Sequence, residues 1–293
     1  MAIARLKDSP ATIGSATMAA ATRLAQAGVA EPRRDARLLV AHALSVGMEI
    51  VLGFPERRLT DEEALRLETI VVLRAQRRPM AQILGRREFW SLSFEVTADT
   101  LDPRPDSECL VETVLAHVPD RDAPLRILDL GTGTGCLLLA ILSELPRATG
   151  LGVDIKPAAC AVAARNAAAL GLEARANFAV GNWAQNLTPG FDLIVTNPPY
   201  IPDAELDGLE PEVARFEPRT ALCGGADGLD AYRALAPEIA RLLASRGRAV
   251  IEIGAGQAGP VEGILSTAGL VCLGKGFDLA KRERCLVVRQ DAR

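Results

Sequence analysis

Leu125-Arg126-Ile127-Leu128-Asp129-Leu130-Gly131-Thr132-Gly133-Thr134-Gly135 takes a short apolar strand straight into three alternating glycines, and the apolar run Cys136–Leu142 follows without a break. A strand that turns through glycines onto a helix N-terminus opens a βαβ unit. Glycines at such a turn permit positive φ and let backbone come close to a ligand. Outward from this stretch, strand patterns recur at 125–130, 150–154, 176–180, 191–196, 247–253, 270–274 and 284–290. Helical patterns fall between them at 136–144, 157–170, 230–244 and 258–268. That alternation predicts an α/β fold: a doubly wound, mostly parallel seven-stranded sheet with helices on both faces.

Upstream the texture differs. Residues 1–78 read as helices only. Ala16–Ala27 stops at Gly28, and Pro32–Val46 stops at Gly47 with Ala36, Leu39, Val40 and Ala43 at helical spacing. Asp61–Arg77 follows Thr60, a good N-cap, and its spacing turns Leu65, Ile70 and Leu73 inward. A packing appendage and a partner-docking domain are equal readings of this region. Residues 79–100 contain Gln82 to Val96, whose second half alternates and is rich in aromatics, and read as a β-hairpin linker. Residues 101–293 then form the α/β domain, entered through the stiff, charged loop Leu101-Asp102-Pro103-Arg104-Pro105-Asp106-Ser107-Glu108. Asp106 or Ser107 is placed to cap a helix running to about Val118.

Composition narrows the function classes. A chain of 293 residues with 49% apolar side chains holds one large or two unequal domains with a real core. A net charge of −4 argues against a large basic footprint for nucleic acid. The run Cys136–Leu142 is too short to span a bilayer, and the N-terminus lacks the pattern of a cleaved leader, so a cytoplasmic protein is expected. Six cysteines without a CxxC pair read as small buried hydrophobes, not as metal ligands or disulfides. His42 and His117 sit in helical patterns and read as structural.

Three strand ends converge on one candidate ligand. Gly131, Gly133 and Gly135 follow the first strand. Gly152-Val153-Asp154 ends the second, where a carboxylate can accept from both hydroxyls of a ribose. Dinucleotide enzymes share those features. Here the spacing is GxGxG, and Asp129 stands just before the glycines, where a pyrophosphate gains nothing from a negative charge. An acid there suits a ligand with an ammonium group, or else caps the turn's own N–H groups. After the third strand, Asn182-Trp183 offers an amide and a ring able to read and stack on adenine, although a lone Trp is often core.

The fourth strand, Phe191–Thr196, ends in Asn197-Pro198-Pro199-Tyr200. Two prolines stop the ladder and stiffen the loop, which presents an amide side chain, outward carbonyls and an aromatic ring. Together these motifs resemble the class I S-adenosylmethionine-dependent methyltransferases that modify planar nitrogen. More closely they are similar to the protein-(glutamine-N5) methyltransferases that act on peptide chain release factors. The resemblance covers nearly the whole chain, including Arg87-Glu88-Phe89-Trp90, the 103–108 loop, Asp129–Gly135, Gly152–Ile155, Asn197–Ile201 and the segment from Pro211 to Leu229.

The resemblance implies S-adenosylmethionine as cofactor, held by Asp129, Gly131, Gly133, Gly135, Asp154, Asn182, Trp183 and Asn197. It implies a release factor as protein substrate, with the glutamine of its Gly-Gly-Gln motif as acceptor. Asn197, Pro198 and Tyr200 would be catalytic; Asn197, Pro198, Pro199, Tyr200, Arg104 and Glu108 would bind the substrate. For Arg104 and Glu108, an ion pair holding the loop is an equal reading. Residues 210–219 form a candidate lid. The chain departs from the family at Asp102, usually apolar, and at Asn182, commonly Asp. Rival acceptors are a ribosomal-protein glutamine and an exocyclic amine of DNA or RNA. The latter calls for a basic module that these helices lack. Neither stable nucleic-acid binding nor a membrane is expected.

Overall fold

The computed structural model describes residues 11–291, which divide into two compact units between Leu84 and Gly85. The first holds α1 (Ile13–Gln26), α2 (Pro32–Leu44), α3 (Met48–Gly53), α4 (Asp61–Ala75) and α5 (Met80–Leu84). Local chemistry sets the ends. Thr12 with Ser15 and Thr60 with Glu63 form capping boxes for α1 and α4, and Pro32 opens α2. Ala36, Leu39, Val40 and Ala43 are all buried as their spacing predicts. In α4 the inward face is rotated from expectation. Leu65 is 68% exposed, and Glu63, Leu67, Val71 and Arg74 turn inward instead. The reason is that both polar members are satisfied: Glu63 accepts from the Thr60 N–H, and Arg74 pairs with buried Asp35 at 2.7 Å.

The second unit begins with the antiparallel hairpin β1 (Arg86–Phe89) and β2 (Leu92–Glu95). Residues 82–84, expected to be extended, are helical: Ile83 bonds back to the Pro79 carbonyl, and Gly85 at φ +70° ends the turn. Phe89 and Phe94 meet edge to face and join the main core. The chain continues through α6 (Glu108–Ala116), β3 (Arg126–Leu130), α7 (Cys136–Glu144), β4 (Thr149–Asp154), α8 (Pro157–Ala169), β5 (Ala176–Val180) and β6 (Phe191–Thr196). Then come α9 (Pro211–Phe216), α10 (Asp230–Leu242), β7 (Leu243–Glu252), α11 (Ala258–Thr267), β8 (Leu270–Phe277) and β9 (Glu283–Gln290).

Seven strands pair in the order β5-β4-β3-β6-β7-β9-β8, parallel except for β9, which runs against both neighbours. Alternate residues feed opposite cores, as a sheet covered on both faces requires. Ile127, Leu193, Val195 and Val250 enter one cluster with α6 and α7. Leu128, Leu130, Ile194 and Ile251 enter the other with α10 and α11. The order reverses at β3, which has β4 on one side and β6 on the other. Connections depart in opposite directions there, leaving a crevice at the carboxyl ends of the strands. The β3 glycines and Asn197 after β6 both open onto that crevice.

Of the cysteines, 109, 160 and 285 are buried as expected, whereas Cys272 is exposed on the edge strand β8. His117 caps α6, its Nδ1 at 2.8 Å from the Thr113 carbonyl. Among the described residues no helix is long and apolar enough to cross a membrane.

Candidate active site

A cavity of about 490 Å³ occupies the crevice. Gly131, Gly133, Asp154, Asn182, Trp183, Asn197 and Pro199 line it. The glycine turn hangs from β4: the N–H groups of Gly131 and Thr132 both donate to the Val153 carbonyl, at 2.8 and 3.0 Å. Gly131 has φ +77°, and a Cβ there would stand 3.4 Å from the Trp183 ring. Trp183 itself takes a positive φ of 53°, an unfavourable backbone for a large residue that turns its ring over the glycine turn. Asp154 accepts from the Gly133 N–H at 3.0 Å and from the Lys156 N–H at 2.9 Å, and each oxygen retains a lone pair.

Asp129 lies behind the turn, 1% exposed. One oxygen accepts from the Thr132 hydroxyl at 2.6 Å; the other is buried without a hydrogen-bond partner. Burial pushes its carboxyl up to about 7, against the opposing Thr132 hydrogen bond. An unpaired acid beside a cavity bounded by a ribose-accepting carboxylate and an aromatic ring fits a ligand with a cationic tail and a nucleoside head. These residues are therefore compatible with S-adenosylmethionine.

Six residues expected at the site stand outside the cavity lining: Asp129, set behind the turn, and Gly135, Glu108, Tyr200, Pro198 and Arg104. Gly135 is the left-handed N-cap of α7, wedged against Ala163 and Leu139. Glu108 accepts from the Trp90 N–H at 2.8 Å and so ties α6 to the hairpin. Tyr200 packs into the α10–α11 side of the core, and its phenol, raised to about 12 by burial, cannot act as a base near neutral pH. Pro198 is buried at the start of the loop. Arg104 extends to Glu217 at 2.7 Å.

The 103–108 loop sends four polar side chains to four places. Arg104 meets Glu217, Asp106 meets Arg284 at 2.7 Å, Ser107 meets Asn197 and Glu108 meets the hairpin. Neither Asp106 nor Ser107 caps α6 through its side chain, because both are engaged elsewhere and a single 3₁₀ turn precedes the helix. Asp102 is 6% exposed and sits between Arg87 at 3.6 Å and Arg104 at 4.0 Å. Two guanidinium groups thus stand beside the acid where the resemblance implies an apolar side chain.

The segment after Tyr200 is a closed excursion. Ile201 bridges to the 222–224 backbone in both directions, and Asp203 N–H bonds to the Gly225 carbonyl. Gly228, at φ +75°, lets its backbone approach so closely that a Cβ would strike the Tyr200 carbonyl. Between these ties lie short helical turns, of which Pro218, Arg219 and Thr220 reach the cavity wall.

Asn197 is the point where the two halves of the cavity meet. Its Nδ2 donates to the Ser107 hydroxyl at 3.3 Å. The register pairing Thr196 with Ile251 sets Glu252 beside it on the neighbouring strand. Glu252 went unassigned in the sequence, although an acid closing the apolar run Val250-Ile251 was a visible signal.

Comparison with known proteins fits this arrangement. Residues 15–85 match the family model described as the PrmC N-terminal domain, and residues 98–209 match the methyltransferase small domain. A release factor glutamine methyltransferase from Rhodospirillum rubrum is 52% identical over 99% of this chain and 88% of that protein. Another of the same name from Cereibacter sphaeroides is 45% identical over 94% of this chain and 98% of its own length. The chain belongs to the release factor glutamine methyltransferase family. It is an S-adenosylmethionine-dependent enzyme of that family. A methyltransferase structure from Pyrococcus furiosus superposes with a TM-score of 0.50 at 14% identity, covering 67% of this chain and 88% of that one, and attests the fold alone.

Proposed function

We infer that this enzyme methylates the side-chain amide nitrogen of the glutamine in the Gly-Gly-Gln motif of a peptide chain release factor. The observation that supports this most is Asn197: an amide held rigidly at the sheet's switch point, on the cavity wall shared with Asp154 and Trp183. Gly131, Gly133, Asp129, Asp154, Asn182 and Trp183 would hold the cofactor. When bound there, S-adenosylmethionine supplies an electrophilic methyl group.

The protein's task is dictated by the acceptor. An amide nitrogen is a poor nucleophile, and no side chain here is basic enough to deprotonate it first. The Asn197 Oδ1 and the Pro198 carbonyl accept the two N–H bonds, which aligns the nitrogen and offsets the positive charge that grows on it. The N-methylated amide cation is a stronger acid than any side chain and gives its extra proton to water. Pro199 and Tyr200 stiffen and back the loop, and Arg104 fixes the mouth through Glu217. Residues 1–78 serve as the docking domain and 79–100 as the linker to the catalytic domain 101–293. Docking at a distance supplies the binding energy that a lone glutamine side chain lacks. The enzyme acts in the cytoplasm without stable binding of nucleic acid or membrane.

The test is transfer of labelled methyl to a purified release factor, to its Gln→Ala variant, to ribosomal proteins and to an adenine-containing oligonucleotide. Label in the intact release factor alone is the expected result. Label in the oligonucleotide, in a ribosomal protein or in the Gln→Ala variant overturns the assignment.

A further inference from the structure

Asn197 can serve as a double-ended group: one end of its amide accepts hydrogen bonds and the other donates them. Only the oxygen end offsets charge on a methylated nitrogen, so a catalytic asparagine must be held one way round. What decides the orientation lies behind it. Glu252 is 3% exposed and Ser107 also 3%. The register of β6 on β7 sets the Glu252 carboxylate beside Asn197, the Ser107 hydroxyl and the Asn197 amide both favour its charge, and its Oε2 is buried without a hydrogen-bond partner.

A carboxylate has no proton to give. Facing it, Ser107 must turn its O–H toward Glu252, which leaves only lone pairs for Asn197. Asn197 must then present Nδ2 to Ser107, as its 3.3 Å donor contact shows, and Oδ1 to the cavity. We propose that Glu252 is a positioning residue for methyl transfer: its acceptor-only carboxylate, acting directly and through Ser107, fixes the Asn197 oxygen toward the substrate amide. This rests on the glutamine reading of the site.

The surroundings keep the arrangement poised. Burial raises the Glu252 carboxyl to about 7, opposed by Ser107 and by Arg284 of β9, while Asp106 adds to the rise. Tyr200 and Tyr232, which face it from the β6 loop and α10, are held protonated by burial, and the Tyr232 hydroxyl donates to the Glu252 backbone carbonyl at 3.0 Å. The thiols of Cys109, Cys136 and Cys285 lie within its field. Protonated Glu252 can donate, the chain of hydrogen bonds can reverse, and Asn197 loses its fixed sense. Activity should therefore rise with pH through about 7.

Glu252→Gln keeps the shape and removes the one-way polarity. Its kcat is expected to fall roughly 10²-fold, the scale of a misplaced catalytic group, with cofactor binding by calorimetry unchanged and the acid limb of kcat near pH 7 gone. Ser107→Ala, a smaller change to the core, should lower kcat roughly tenfold with its melting temperature retained. Independently of turnover, the Asn197 side-chain NH₂ resonances of the wild-type protein should titrate with a midpoint near 7 and cease to do so in E252Q. Wild-type kcat and pH profile in E252Q, unchanged kcat in S107A, or Asn197 resonances that do not titrate in the wild type would each overturn the proposal. Failure of the glutamine reading shows separately, as absence of label in the release factor with the wild-type enzyme, while the resonance titration still judges Glu252.

Discussion

The crevice has two halves built in different ways. On the β3–β5 side, the cavity wall and the layer behind it come from short stretches that serve themselves: Asp129 accepts from Thr132 three residues on, and the glycine turn hangs from the next strand. On the β6–β7 side, Asn197 depends on Ser107, ninety residues away in the chain, and on Glu252 from the adjacent strand. Each half buries one carboxyl raised to about 7. The first acid lies behind the glycine turn of the cavity, where it would favour a cation; the second stands beside Ser107 and Asn197, which it is proposed to orient. The same physical device, a desolvated acid, would thus serve binding in one half and alignment in the other.

Substitutions should separate the halves. Asn197→Ala is expected to have the largest effect, lowering kcat about 10²–10³-fold while calorimetry shows cofactor affinity nearly intact. Equal losses in both quantities would mean that the halves are not distinct. Asp154→Ala should do the reverse: cofactor affinity weakened about 10–10²-fold through lost charge-assisted hydrogen bonds, with kcat recovered at saturating cofactor.

Asp129 gives a pH-dependent version of the same contrast. Its folded carboxyl lies well above its ordinary value, so the fold prefers the protonated acid. That contribution to stability is fully present below about pH 4 and is lost as pH rises through about 7, at a cost of roughly 1–4 kcal/mol. Binding a cationic ligand favours the ionised form, so cofactor affinity should climb with pH across the same window. Asp129→Asn should flatten that climb, weaken binding above pH 7, and melt at a higher temperature than wild type there. A steep pH dependence that survives in the variant would assign the titration to another group.

Arg104→Ala is expected to have the smallest effect. The guanidinium is over a third exposed and its partner Glu217, raised by burial, can take up a proton when left alone. A loss of about 1 kcal/mol is expected, with faster proteolysis within 203–223 and little change in cofactor affinity. Unchanged proteolysis would show that the excursion is held by its backbone ties alone.

The legibility of the chain follows the same division. Strands and helices of the sheet were readable because period-2 and period-3.6 patterns are local, and both faces of the sheet are covered. The rotation of α4 was not, since Glu63 and Arg74 are buried only through partners, one of them distant Asp35, and a polar residue is otherwise taken to face water. Likewise the sequence shows Asp106 and Ser107 as plausible caps, and their true partners, Arg284 and Asn197, lie far along the chain.

By itself the sequence determined the doubly wound core, the glycine turn with its flanking acids, and the stiff loop ending in Tyr200, because each is set by residues adjacent in the chain. Only the tertiary structure decided that Gly135 caps α7, that Glu108 accepts from the Trp90 N–H of the hairpin, that Asp102 lies between two arginines, and that Glu252 and Ser107 stand behind Asn197. Those outcomes depend on strand order and register, and burial alone gives a carboxylate its altered chemistry.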